Sequence, residues 1–217
     1  MSKNILITQG GCGTTSLIPI LQSYIADDVH RHERIPELLE NKYPTSRVVY
    51  IFGNPYDTLV SSSGRKFGED SFLYYHASNL IWDEILPDKK NKHKQLLESD
   101  GHPRGTAEEI LKSYLDVEQD CFDFENHYSR WKNKKDRTYS IRFVRYEGLL
   151  QHGISLFNEW WDVNIPENVW SPRQRKADYT NLNKDVFSKL ESMYGDWFEK
   201  YQSLPLVEDV YPEEVTV

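Results

Sequence analysis

Eight consecutive residues near the start of the chain, Gln9-Gly10-Gly11-Cys12-Gly13-Thr14-Thr15-Ser16, combine three glycines with three hydroxyls and a thiol. Glycine lets a backbone turn with positive φ and pass close to a ligand, and threonine and serine hydroxyls add donors. Such a group is suited to cradling a phosphate or sulfate. What is missing narrows the chemistry. A nucleoside-triphosphatase loop of the form GxxxxGK[ST] needs a lysine after its last glycine, and here Thr14 follows Gly13. A cysteine phosphatase of the form CxxxxxR needs an arginine where this chain has Ile18, so Cys12 reads as a small loop residue and not as a nucleophile. Farther along, His30-Arg31-His32 offers imidazoles whose ordinary pKa suits proton transfer near neutrality. Ser61, Arg65 and Lys66 form a polar cluster, and Arg175-Lys176 is a later basic pair.

These residues need a frame. The apolar run Ile5-Leu6-Ile7 ahead of the glycines reads as a buried strand, and Leu17 to Ile25 behind them reads as a helix. Arg47 to Phe52 is a second continuous run of β-branched and aromatic residues, the pattern of a parallel strand covered on both faces. Gly53-Asn54-Pro55 ends it, with Pro55 placed for the first turn of a helix that reaches Gly64. A short helix is expected over 35–41, and a third strand over 139–146 that turns into another helix. Strands alternating with helices predict an α/β fold with a mostly parallel central sheet flanked by helices. Ligands of such sheets sit beyond the carboxyl ends of the strands.

The polar, lysine-rich stretch 88–105 reads as an exposed loop or lid, and helices are expected over 107–131 and 184–201. In the second of these, Phe187, Leu190, Tyr194 and Trp197 or Phe198 fall at helical spacing and read as core. The segment 205–217 reads as an irregular tail. At 217 residues the chain suits a single domain spanning 1–217. Its net charge of -8 argues against general nucleic-acid binding, so any anion site must be locally basic. Two cysteines without CxxC spacing suggest neither a disulfide framework nor a metal site, and a cytoplasmic setting follows as the default. No window approaches the roughly 20 apolar residues of a membrane-spanning helix, and the N-terminus lacks the pattern of a signal peptide.

Three segments, taken in order, resemble the PAPS-dependent sulfotransferase family. Gly10 to Ser16 is similar to that family's PKSGTTW loop, which holds the 5′-phosphosulfate. Val48 to Ser61, with its core Asn54-Pro55-Tyr56-Asp57-Thr58-Leu59-Val60-Ser61, is similar to the strand followed by RNPxDxxVS that holds the 3′-phosphate. Phe143 to Leu149 is similar to the strand ending in YEDL, whose tyrosine lies near the adenine, and Arg175-Lys176-Ala177 occupies the place of the late RKG element. The resemblance covers residues 4–65 and 138–180, and NPxDxxVS after an apolar strand is its most specific part.

The resemblance implies a P-loop, sulfotransferase-like fold and transfer of a sulfuryl group from PAPS, without a metal, to a hydroxyl or amine of a small-molecule or carbohydrate acceptor. Gly10, Gly11, Cys12, Gly13, Thr14, Thr15 and Ser16 would meet the phosphosulfate. Ser61, Arg65, Arg175 and Lys176 would meet the 3′-phosphate, and Tyr146 the purine. His32 is favoured as the base because Ile35-Pro36 follows it. It stands one residue closer to the RNP-like element than the family's histidine, and His30 one farther. The departures fall on charge: Gly11 replaces the loop lysine, Gly53 the arginine of RNP, and Ser16 the loop tryptophan. Arg65, Lys66, Arg175, Lys176, Arg31 and Arg34 are the cations able to compensate. A family member that binds a nucleotide or partner without catalysis, and a kinase with an unusual phosphate loop, are the rival readings. The second lacks a strand ending in a Walker B aspartate.

Overall fold

The structure, a computed structural model, describes residues 3–9, 12, 14–25, 28–31, 33–67, 70–79, 91–101, 103–172 and 178–213. The run Ile5-Leu6-Ile7 lies in strand β1 (Asn4–Thr8), which is followed by helix α1 (Ile18–Tyr24), strand β2 (Val29–Arg31) and helix α2 (Pro36–Lys42). Strand β3 (Arg47–Phe52) leads through Gly53-Asn54 into α3 (Pro55–Ser63), where Pro55 takes the first helical position and its missing N–H costs nothing. Two short antiparallel strands, β4 (Lys66–Phe67) and β5 (Asp70–Ser71), precede α4 (Phe72–Asn79) and α5 (Lys92–Asp100). Then come α6 (Ala107–Asp116), α7 (Phe124–Lys132), strand β6 (Ser140–Arg145), α8 (Tyr146–His152), α9 (Ser155–Trp161), α10 (Lys184–Ser203) and strand β7 (Val207–Val210).

The chain groups into two compact units. One comprises Met1–Asn54, Phe124–Gln174 and Ser203–Val217, and the other Pro55–Asp123 and Arg175–Gln202. The physical reason lies in the insertion after β3, whose helices bury apolar faces among themselves and so build a core of their own.

The first unit is an α/β sandwich around a five-stranded sheet of order β2-β1-β3-β6-β7, parallel except for β7. Register aligns Ile7, Tyr50 and Phe143 across three strands, and Leu6 with Val49 on the opposite face. On the first face, Tyr50, Phe52 and Phe143 meet Tyr128 and Trp131 of α7 at ring separations of 4.8–6.4 Å. On the other, Leu6, Val49, Ile51 and Val144 pack with Leu17, Leu21, Leu149, Phe157 and Trp160. Burial on both faces explains why β1 and β3 read as unbroken apolar runs.

The tail is not irregular, because residues 207–210 form the antiparallel edge strand β7. The Arg142 guanidinium donates from Nε and Nη2 to the two carboxylate oxygens of Asp209 at 2.7 and 2.8 Å, and from Nη1 to Glu159 at 3.0 Å. These carboxylates hold the Arg142 pKa above its usual range. Arg145 donates to the Leu204 carbonyl, and the Arg145 amide to that of Leu206. Gly148 is required beneath this crossing, since a Cβ there would lie 2.5 Å from the Leu206 carbonyl oxygen.

The second unit is helical. Thr106 and Glu109 form a reciprocal capping box that starts α6, which turns Ile110, Leu111, Tyr114 and Leu115 inward. The stretch expected as one helix over 107–131 breaks at 117–123, where Glu118 and Asp123 adopt positive φ of 52° and 51°. The stretch read as a lid also differs: Asn91 caps α5 through Lys94 N–H, and His93 is fully buried against Tyr114 at a ring separation of 4.4 Å. The polarity of α5 had hidden a helix that is held by its cap and one buried imidazole.

α10 buries Leu190, Tyr194 and Trp197 as expected from its spacing, together with Val186 and Tyr201, while Phe187 is only half-buried. Between α6 and α10 runs a directed chain of hydrogen bonds. The Cys121 amide donates to the Tyr114 hydroxyl at 3.2 Å, Tyr114 lies 3.0 Å from Tyr194, and Tyr194 donates to Asp120 at 2.8 Å. Burial, helped by nearby Asp123, pushes the Asp120 carboxyl up to about 6, although hydrogen bonds from Tyr194 and Phe122 act against the shift. No helix among the described residues is long and apolar enough to cross a membrane.

Candidate functional site

The strand order places a topological switch point between β1 and β3. The chain leaves β1 for β2 on one side and returns through α2 to β3 on the other. Crevices at such points, beyond the carboxyl ends of the strands, are the usual ligand sites of open α/β sheets. The glycine loop leaves β1 at this place. Gly10, Gly11 and Gly13 lie outside the described residues. The loop is tied across the end of β3, with the Gln9 amide donating to the Ile51 carbonyl at 2.9 Å and Cys12 Sγ facing the same oxygen at 3.8 Å. Cys12 is fully buried and forms no disulfide.

Thr14–Ser16 form a 3-10 turn that joins α1 through the Leu17 amide and the Thr14 carbonyl, 3.0 Å apart. Thr14 is buried, Thr15 is exposed and Ser16 half-buried. The Trp170 indole donates to the Ser16 hydroxyl at 3.2 Å, so a tryptophan reaches from a distant segment to the position where the loop itself has serine. Gln9 is the polar residue at this edge that motif reading passed over. It is 4% exposed, its amide nitrogen donates to the Phe124 carbonyl, and its Oε1 has no hydrogen-bond partner among the described residues. A buried acceptor left open is costly in water-free surroundings, so Oε1 is available to a donor on a ligand.

β2 runs parallel to β1 with Ile7 opposite His30 and Thr8 opposite Arg31. The backbone therefore brings His30 and the end of β2 to the same sheet edge as the glycine loop. Of the His30 side chain nothing is described, and His32 lies outside the described residues. The segment after it is well anchored. The Glu33 carbonyl is contacted by His127 Nε2 at 2.7 Å and by the Trp131 indole at 2.9 Å. The other ring nitrogen of His127 meets the Tyr50 hydroxyl at 3.1 Å, and burial keeps Tyr50 protonated far above neutral pH. Arg34, one of the candidate replacement cations, is 6% exposed and lies close enough to Tyr50 to act on its titration.

Tyr146 opens α8 and is 4% exposed within the apolar cluster around Val144 and Leu149, so its ring offers little face to a purine. Trp160 and Trp161 are likewise structural: their indoles donate to the Val48 and Arg47 carbonyls, at the starting end of β3 and away from the switch point.

Within the helical unit, Ser61 lies on α3 and Arg65 just past it. Arg65 Nη2 donates to Ser61 Oγ at 2.9 Å, and the guanidinium lies 5.7 Å from the Phe72 ring centre. The two residues expected to share the 3′-phosphate are thus already partners. Beside them is a pocket of about 530 Å³ lined by Ser63, Arg65, Lys66, Ser71 and Arg104 together with the start of α6. Arg175 and Lys176 lie outside the described residues. Compared with known proteins, the chain matches no protein-family model and no curated protein.

Proposed function

We propose that the protein transfers a sulfuryl group from PAPS to a hydroxyl or amine of a small-molecule or carbohydrate acceptor. The observation that carries this reading is the position of the hydroxyl-rich glycine loop at the switch point of a mostly parallel sheet. An NPxDxxVS helix follows the neighbouring strand β3. In this reading the loop amides with Thr14 and Thr15 meet the 5′-phosphosulfate, and Ser61 with Arg65 meets the 3′-phosphate, joined by Arg175 and Lys176. The acceptor oxygen attacks sulfur as the bond from sulfur to the 5′-phosphate oxygen breaks. His32, or His30 at the same sheet edge, takes the acceptor proton, and PAP departs. Positioning and hydrogen bonds to the developing charge supply the acceleration, as in phosphoryl transfer.

The replacement of two family cations by Gly11 and Gly53 favours a second reading, a nucleotide-binding protein without turnover. Calorimetric titration with PAP beside ATP–Mg²⁺ tests both. Micromolar PAP binding without ATP binding is expected, followed by sulfuryl transfer in an acceptor screen with chelator present. PAP binding without transfer to any acceptor selects the second reading, and absence of PAP binding overturns both.

A further inference from the structure

We propose that the pocket of the helical unit is a binding site for a phosphate or sulfate monoester group. At about 530 Å³ it is of ligand size, and its described walls carry three cations, Arg65, Lys66 and Arg104, and no carboxylate. In a chain of net charge -8 such a concentration of positive charge is a local exception. Glu109, whose carboxylate lies beside the lining residue Gly105, is turned onto the α6 cap, accepting from the Thr106 amide at 2.7 Å and hydroxyl at 3.0 Å.

The pocket also holds an incomplete hydrogen bond. Ser71 on β5 lines it and is 4% exposed, yet its hydroxyl has no hydrogen-bond partner among the described residues. The neighbouring Ser63 hydroxyl donates to the Val60 carbonyl at 2.9 Å. A buried hydroxyl without a partner is disfavoured unless a ligand completes it. Arg65 needs little ordering to receive an anion, because Ser61 and the Phe72 ring already hold its guanidinium. Guanidinium forks match the oxygens of a tetrahedral anion, and a serine hydroxyl can donate to one of them.

The site does not depend on PAPS being the co-substrate. It shares Arg65 with that reading, so the bound group belongs either to a nucleotide or to a second phosphorylated or sulfated ligand. The test is calorimetric titration of the full chain at low ionic strength with inorganic phosphate, inorganic sulfate and PAP, repeated on Arg104→Ala and Ser71→Ala. Phosphate and sulfate should bind saturably. Arg104→Ala should weaken both about tenfold or more, and Ser71→Ala about threefold or more, without lowering the anion-free unfolding midpoint.

If PAP weakens in parallel in Arg104→Ala, the group is the nucleotide's. If PAP affinity holds while phosphate affinity falls, the pocket serves the second ligand. Absence of saturable binding, or either variant staying within about twofold of wild type for both anions, overturns the assignment. Phosphate binding that responds to the variants in a protein that does not bind PAP overturns the transferase reading and leaves the pocket standing.

Discussion

Asp120 should make the protein less stable as pH rises from about 4 to 7, against the usual behaviour of a surface carboxylate. In the folded state its carboxyl is pushed up from 3.8 to about 6, chiefly by burial. The folded protein therefore holds a proton that the unfolded chain releases, and the stabilisation is complete below about 4 and lost as pH rises through about 6. That interval corresponds to about 3 kcal/mol at 1.36 kcal/mol per tenfold. Asp120 retains partial contact with water, so about 2 kcal/mol is the expected size after allowing for solvent screening.

The perturbation is Asp120→Asn, which keeps an oxygen to accept from Tyr194 and Phe122 but does not titrate. Urea denaturation of both proteins at half-unit steps from pH 4 to 7 isolates the contribution, because every other group cancels in the difference. Relative to wild type, Asp120→Asn should gain about 2 kcal/mol across this range. Parallel stability curves for the two proteins would show that the carboxyl titrates normally and refute the reasoning.

Gly148→Ala should cost about 2–3 kcal/mol in urea denaturation, since the added Cβ would press on the Leu206 carbonyl and push residues 204–206 off β6. Asp209→Asn should cost about 2 kcal/mol by leaving the buried Arg142 guanidinium underpaired, with the β7 amides losing hydrogen-exchange protection first. Thr106→Ala removes the reciprocal cap of α6 and should cost about 1 kcal/mol, read from the thermal midpoint.

The parallel strands β1, β3 and β6 were legible because their central residues are buried on both faces, whereas β2, only three residues long, was not read as a strand, and Pro55 marked the start of α3 without ambiguity. The loop at the switch point was legible for the same reason: glycines between an apolar strand and a helix have few other uses. What escaped sequence reading depends on tertiary partners. β7 sets two acids between two valines and stays half-buried, and it is held by its antiparallel pairing with β6 and by the ion pairs of Asp209 with Arg142 and Glu208 with Lys132. The single imidazole that seats α5 gives no periodic signal. His127 was also passed over, although it shares an inward face of α7 with Phe124, Tyr128 and Trp131, because a core histidine differs from a catalytic one only in what surrounds it. The cationic pocket joins residues near 65 with Arg104, a proximity that no spacing in the chain announces.

The late position of β7 bears on how the protein is made. β6 is an apolar strand with Ile141, Phe143 and Val144 at its centre, and its outer row of peptide groups is covered by residues 207–210. While the ribosome has yet to release that segment, the growing chain presents a sticky edge that an identical strand on a neighbouring nascent chain can match. Synthesis stalled or cut short before residue 207 would leave this edge permanently bare. The four-residue strand and its bidentate ion pair therefore act as a stopper against polymerisation, and loss of the segment should appear as insoluble protein before it appears as lost binding.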